Sequence, residues 1–391
     1  MFLLLLDKYK VKINNVVFGL AFIAYFVSLF LGDIYQVDGM IGDVSRYLRM
    51  LTYGLSLLAF VMAEFKRKAI WKIALVVAVS VLFLVVAKEA YLISMLLLVY
   101  AGREVNVNRL FNLSFAMLFV GTAIVLSLML VDQIPDFMTS HAFSDDMSRH
   151  SFGFYHSDVL PGIVVFLQVF YVWTRKHKVS FWSLFAFTGL HLVVYHFCHS
   201  RACLAVGVAL SVFQMILKRN YKSKLLCKAV NFSTKYIAVF CGMLSILGMF
   251  IVTKFEFMHK IDLLFSYRLI SSSWKMNRVG LKIINLMHNN EFYGNDSFVV
   301  DNGYLFIALR FGLIILIGLF VISFLLQKRY KNDLFVESCL IAVFVLAFID
   351  NDFLSYGFLP TLIAAVNVNT NERKRGYLYG AGISLDSNEH L

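Results

Sequence analysis

At 391 residues the chain is long enough for two or three soluble domains, yet 60% of its residues are hydrophobic, only 15% are charged and its mean hydropathy is +0.75. A soluble globular chain is about one-quarter charged, and no water-soluble core hides 39 Phe, 19 Tyr and 4 Trp, so the composition excludes the soluble classes and predicts a polytopic membrane protein. The net charge of +12 is no nucleic-acid footprint, because the cations sit at the ends of apolar runs.

A membrane span takes about 20 apolar residues. In chain order the candidate runs are Val16 to Leu31, Tyr47 to Ala63, Ala69 to Ala87, Ala90 to Tyr100, Leu110 to Val131 and Val159 to Trp173. They continue with Val179 to Cys198, Ala202 to Leu217, Lys235 to Val252, Tyr304 to Leu326, Leu334 to Ile349 and Phe353 to Val368. With this division about two thirds of the Lys and Arg fall in alternate loops, and the positive-inside rule then predicts twelve spans with both termini cytoplasmic. The opening MFLLLL is too short for a cleaved signal peptide. The reading is one transmembrane domain over residues 1–391, with external loops at 132–158 and 253–303 and a cytoplasmic tail at 369–391.

Short basic cytoplasmic loops leave no room for a nucleotide-binding domain, and there is no GxxxxGK[ST]. Chemistry is therefore expected at the outer face, on a substrate that arrives already activated, for which lipid-linked pyrophosphates are candidates. The five cysteines, Cys198, Cys203, Cys227, Cys241 and Cys339, form no CxxC and read as small buried thiols rather than a disulfide or zinc framework.

Four outward places carry candidate chemistry. The first loop ends SRHSFGFYHSDVLPG, where His156 and Asp158 can activate a hydroxyl, or Asp158 is a helix N-cap. The HSR turn, His199 to Arg201, offers a planar guanidinium that either grips phosphate or snorkels to headgroups. In the long loop, FSYRLISSSWKMNRVGLKIINLMHNN reads as an amphipathic helix with Arg268, Lys275, Arg278 and Lys282 on one side and Ile270, Trp274, Leu281 and Ile284 on the other. That pattern suits an interfacial helix on anionic lipid, and also a phosphate ligand at Arg268. The same loop closes on Asp301, Asn302 and Tyr304, where Asp301 is either a helix-start acid or a hydroxyl-orienting carboxylate. Lastly, Asp350 and Asp352 form an outward DxD that either holds a divalent cation on a diphosphate or is a polar turn; the polar turn is the preferred reading, and no metal or other cofactor is expected.

At these residues the chain resembles the O-antigen polymerase and ligase superfamily, most of all the Wzy-type capsule and exopolysaccharide repeat-unit polymerases. GFYHSD (Gly153 to Asp158) resembles the family's GFxHPN element, HSRA its SR turn, and YRLISSSW (Tyr267 to Trp274) its R…W segment. FYGND (Phe292 to Asp296) resembles its FGxG, and DNGY (Asp301 to Tyr304) its DNxY. Ser157-Asp158 stands where the family has Pro-Asn, and Asn295-Asp296 follows Gly294 where a second Gly is usual.

The resemblance implies an all-α, twelve-span, GT-C-like fold in the bacterial inner membrane. Its expected reaction is inverting transfer of a glycan from undecaprenyl pyrophosphate to the acceptor sugar of a lipid-linked repeat unit on the outer leaflet. Arg201, Arg268 and Arg278 are then expected on the pyrophosphate, His156 and Asp301 at the acceptor hydroxyl, and Asp158, Asn302 and Tyr304 on sugar. Membrane lipids, a chain-length regulator and a flippase are the implied partners, and nucleic acid is not. A ligase with a different acceptor shares all of this, whereas a flippase or transporter would want polar residues near mid-bilayer, where His191 is the main exception.

Overall fold

A computed structural model describes residues 2–34, 40–65, 71, 74, 77–78, 90–141, 144–264, 267–285, 287, 292, 300–350 and 356–368. Its helices are α1 (Phe2–Gly32), α2 (Met40–Phe65), α3 (Ala90–Ala101), α4 (Val107–Leu130), α5 (Val159–Arg175), α6 (Phe181–Cys198), α7 (Arg201–Asn220) and α8 (Lys224–Ile251). They continue as α9 (Glu256–Leu264), α10 (Arg268–Val279), α11 (Gly303–Arg310), α12 (Leu313–Tyr330), α13 (Leu334–Ile349) and α14 (Phe358–Val366). One antiparallel hairpin, β1 (Met138–His141) and β2 (Ser144–His150), interrupts the helices, with Met138 opposite His150 and Thr139 opposite Arg149.

Seven of the described helices are long and apolar enough to cross a membrane, namely α1 from Asn14, α4, α5, α6, α7, α8 and α12. Their exposed faces are apolar: Phe232, Tyr236, Phe240, Met243 and Leu247 run down α8, and Ile314, Ile317, Val321 and Leu325 down α12. Patches of that size would drive aggregation in water, and lipid is the solvent that suits them. The expected third span, Ala69 to Ala87, and the tail from 369 lie largely or wholly outside the described residues.

Helix α5 is the hub. Its apolar residues continue round the whole helix, so almost every side chain from Val159 to Trp173 is buried, with Trp173 stacked on Phe111 of α4 at 4.2 Å. Pro161 falls in its first turn, where the missing N–H has no helical partner to lose. Gln168 in the middle of α5 bridges His191 Nε2 of α6 (2.9 Å) and Ser211 Oγ of α7 (2.9 Å), so these buried polar groups satisfy one another. At the opposite end of the bundle from the site described below, Lys176 pairs with Asp333 at 2.7 Å and Arg329 donates to Asn367 Oδ1.

The expected span Tyr304 to Leu326 is broken in two. Gly312 lies at φ +97, and Lys282, Ile283 and Asn285 hydrogen-bond across the break: Leu313 N–H donates to Lys282 C=O (3.0 Å), Ile314 N–H to Ile283 C=O (3.1 Å), and Asn285 N–H to Phe311 C=O (3.2 Å). The amides released by the break thus find partners in the long loop. A Cβ at Gly312 would lie 2.5 Å from the Ile283 carbonyl oxygen, whereas one at Gly318 on the same helix meets nothing within 4 Å. Gly312→Ala should therefore cost at least about 1–3 kcal/mol and lower the thermal midpoint of the detergent-solubilised protein, while Gly318→Ala should leave it unchanged or slightly raised.

Candidate functional site

Three segments far apart in sequence meet at one end of the bundle. The first is the turn that carries the chain from the hairpin into α5. Asp136 fixes it, accepting Ser151 N–H (3.0 Å) and Phe152 N–H (2.8 Å) on one carboxylate oxygen and His150 Nδ1 (2.5 Å) on the other. Phe152 and Gly153 then adopt positive φ (52° and 83°), which swings Phe154 under the bundle, edge-on to Phe30 of α1 at 6.0 Å. Tyr155 N–H donates to Asp33 C=O at 3.0 Å, and His156, Ser157 and Asp158 follow at the mouth of α5.

Asp158 stands at the N-cap position of α5 yet makes no side-chain cap bond. Its carboxylate is instead 3.7 Å from Arg268 Nη2 and 3.7 Å from His156 Nδ1. Of the two readings of Asp158 open in the sequence, the cap is the one the structure does not show. His156 Nδ1 accepts the Asp158 N–H at 3.2 Å and its ring is exposed.

The second segment is the start of α10. Asp262 of α9 is buried and reaches over this helix end, accepting Leu269 N–H (3.0 Å) and Ile270 N–H (2.8 Å). Burial raises its carboxyl above the usual range, against the pull of those two N–H groups, His259 and Arg268. The cap fixes Arg268, the first residue of α10, whose guanidinium meets Asp158 on one side and Asp301 Oδ2 at 3.7 Å (Nε) on the other. Burial alone would lower the Arg268 pKa, but Asp350, Asp301 and Asp158 together raise it.

Asp301 belongs to the third segment, the mouth of α11. Asn302 caps that helix through Oδ1 to Leu305 N–H (3.0 Å) and donates through Nδ2 to Ser245 Oγ of α8 (2.9 Å) and Phe348 C=O of α13 (2.7 Å). Tyr304 is fully buried and donates to Phe344 C=O at 3.0 Å. Asn302 and Tyr304, expected on the sugar, are therefore committed to packing, and they hold Asp301 in place.

Arg149 at the end of β2 joins the cluster: burial lowers its pKa, Asp158 opposes that shift, and Arg201 and Arg268 add to it. Arg201 is the exposed first residue of α7, just after His199 turns the chain at φ 52. The α10 face pattern differs from the sequence reading. The helix stops at Gly280 (φ +73), and Leu269, Ser272, Lys275 and Val279 face inward while Trp274 and Arg278 face out. Lys275 lies over the Phe292 ring at 5.2 Å. Arg278 lies about 80° round the helix from Arg268 and is exposed where the Arg268 side chain is largely buried. The Gly294 to Asp296 stretch and Asp352 lie outside the described residues, and all five cysteines are free thiols.

Comparison with known proteins finds no matching family model, no matching curated protein and no matching solved structure. The geometry therefore carries the reading. Three donors are buried here without a hydrogen-bond partner among the described residues: Arg149 Nε, Arg268 Nη1 and Ser157 Oγ. A buried unpaired donor costs about 1–3 kcal/mol, and an arriving anion is the group that would relieve it.

Sequence reading places Arg149 beside the start of α5 but gives it no role, and it misses Asp262 and Asp33. Asp33, after the last turn of α1, accepts the Tyr356 hydroxyl, and burial pushes its carboxyl up to about 7, with Tyr356 pulling it down and Asp350 pushing it further up. A raised carboxyl pKa means that the folded chain holds a proton the unfolded chain releases, so this contribution to stability is full below about pH 4 and is lost as pH rises to about 7. Asp33→Asn should remove that component, visible as a flatter dependence of thermal midpoint on pH between 4 and 8 than the parent protein shows. Asp262→Ala should leave the bundle folded, lose about 1 kcal/mol of local helix stability, and reduce anion binding by displacing Arg268.

Proposed function

We propose that this chain is a Wzy-type polysaccharide repeat-unit polymerase. In this reading it is an inverting glycosyltransferase with a twelve-span, GT-C-like fold in the bacterial inner membrane, both termini in the cytoplasm and its active site on the outer face. The observation that carries the reading is the convergence of Arg149, Arg201 and Arg268 with Asp158, Asp301 and Asp350, together with buried donors left unused. Guanidinium groups suit a diphosphate, since they keep their charge and present paired donors.

The chemistry needs little from the protein. The acceptor oxygen forms a bond to the anomeric carbon as the carbon–oxygen bond to the diphosphate breaks, so the configuration inverts and the leaving group takes the electron pair. Arg201, Arg268 and Arg149 stabilise the charge that builds on it. The hydroxyl proton goes to a carboxylate. His156 Nδ1 accepts a backbone N–H, so the neutral ring carries its proton on Nε2 and acts as a donor. That leaves Asp301, 42% exposed and held at 3.7 Å from Arg268, as the base. No metal or other cofactor enters this scheme, and the partners are the undecaprenyl-pyrophosphate-linked oligosaccharide and the surrounding lipid.

A flippase would carry its polar groups along a passage. The buried polar groups here support the enzyme instead, because His191, Gln168 and Ser211 close on one another across three helices. In polymerisation assays with purified protein, Arg201→Lys and Arg268→Lys should each lose about 10²–10³-fold in rate, and the double variant less than the product of the two. Lys282→Ala, on an exposed position, should keep its activity. Full activity in both arginine variants, with insertion and thermal stability confirmed, would remove the diphosphate clamp. In cells lacking the protein, lipid-linked single repeat units should accumulate, whereas full-length unattached polymer would mark a ligase.

A further inference from the structure

The segment that closes the break at Gly312 shows its side chains the wrong way round for water. Asn285 is only 6% exposed, with its N–H on Phe311 C=O and its Nδ2 on Leu309 C=O. The two residues before it, Ile283 and Ile284, are 72% and 60% exposed. A loop bathed in water hides isoleucine and shows asparagine. The inverse pattern is the one that apolar surroundings select.

Main-chain bonds fix the height of this segment. Leu313 N–H donates to Lys282 C=O and Ile314 N–H to Ile283 C=O, so the isoleucine pair lies beside the first turn of α12, a helix long and apolar enough to cross a membrane. Ile314 and Ile317, each at least half exposed, continue the patch onto the lipid-facing stripe of α12. Lys282 is exposed at its edge, next to Ile283 in sequence. Trp274 and Arg278, one helical turn apart on α10 and so on one face of it, are exposed as well.

We infer that the stretch from Trp274 to Ile284 docks on the membrane surface at this end of the bundle, with Ile283 and Ile284 in the acyl layer and Arg278 and Lys282 on the phosphates of anionic phospholipids. Three features name that occupant. The patch is continuous with a face of α12 that meets lipid. Its apolar tips, tryptophan and cations match the successive layers of a leaflet, from acyl chains to headgroups. Its cations suit a surface of negative charge, whereas a second copy of the chain seated twofold on the same patch would bring two Arg278 and two Lys282 into one interface. The bilayer thus becomes an outer support for α10, the helix that carries Arg268 at its other end, and this support holds whatever reaction the site performs.

The test uses the full-length protein in nanodiscs and needs no turnover. Phospholipids brominated near the glycerol end of the acyl chain should quench tryptophan fluorescence, and subtracting the signal of Trp274→Phe isolates the part due to Trp274. That part should be about twofold or more larger in phosphatidylglycerol discs than in phosphatidylcholine discs, and high salt should shrink the difference. Arg278→Glu combined with Lys282→Glu should erase the difference. Arg219→Glu combined with Lys222→Glu, exposed cations at the opposite end of α7, should leave it intact. A spin label on Ile283→Cys, in a Cys227→Ser background because the other four thiols are buried, should collide with oxygen more often than with a water-soluble nickel chelate. Preference for the nickel chelate would put the segment in water and overturn the docking. Equal quenching in the two lipids would overturn the choice of anionic headgroups. Shielding of the label from both reagents would mean that protein covers the patch, a second copy included, and would overturn the proposal too.

Discussion

A buried guanidinium that must find carboxylates governs this end of the molecule. Arg268 has lost most of its water, and because a guanidinium keeps its charge even there, burying it is costly unless opposite charge surrounds it. Asp158, Asp301 and Asp350 supply that charge from the start of α5, the mouth of α11 and the end of α13. Each carboxylate is set by its own helix end, so the position of one side chain ties together three stretches spread over residues 158–350. The ion-pair contacts, at 3.7 Å, are longer than good hydrogen bonds. They hold the arginine without exhausting its donors, which suits a group that has to receive a ligand.

The helices beneath serve this arrangement by different means. The hub α5 is fixed by apolar packing on all sides and by the Gln168 bridge. The mouth of α11 is fixed by hydrogen bonds from Asn302 and Tyr304 to α8 and α13. The start of α10 depends on one carboxylate, Asp262, and packs through Leu269 and Val279 in a smaller core with Met249 and Leu305. The site therefore combines two rigid walls with one wall held by fewer contacts, and it is that third wall which carries Arg268.

Much of the helical layout was legible in the sequence because lipid imposes long apolar runs, and the ends of α4, α6 and α7 fall within a few residues of the expected spans. Asp158, Arg268 and Asp301 were legible as outward charges at helix mouths, though nothing local said that they touch. The face of α10 was misread because a stripe of like residues on a helical wheel does not say which side is buried: Lys275 is inside, where its charge meets an aromatic ring, and Trp274 is outside. The break at Gly312 was hidden in a long apolar run, and among the described residues the hydrogen bonds of Lys282, Ile283 and Asn285 account for it. Asp262 caps a helix from the preceding one, and Asp33 meets Tyr356 across 323 positions, so neither leaves a trace in spacing.

The closeness of His191 to Gly207 has a mechanical consequence. A Cβ at Gly207 would lie 2.2 Å from the imidazole, so the ring occupies the one place along α7 where the backbone is bare. The residues that share the face of Gly207 on α7 are those three and four positions away, Cys203 and Leu204 on one side and Leu210 and Ser211 on the other. Sliding α6 past α7 by one helical turn, about 5.4 Å, would set the ring against those side chains and also pull the histidine away from Gln168. The hairpin of α6 and α7 is a ratchet tooth seated in its notch, and Arg201 keeps a fixed height however far the neighbouring loops travel.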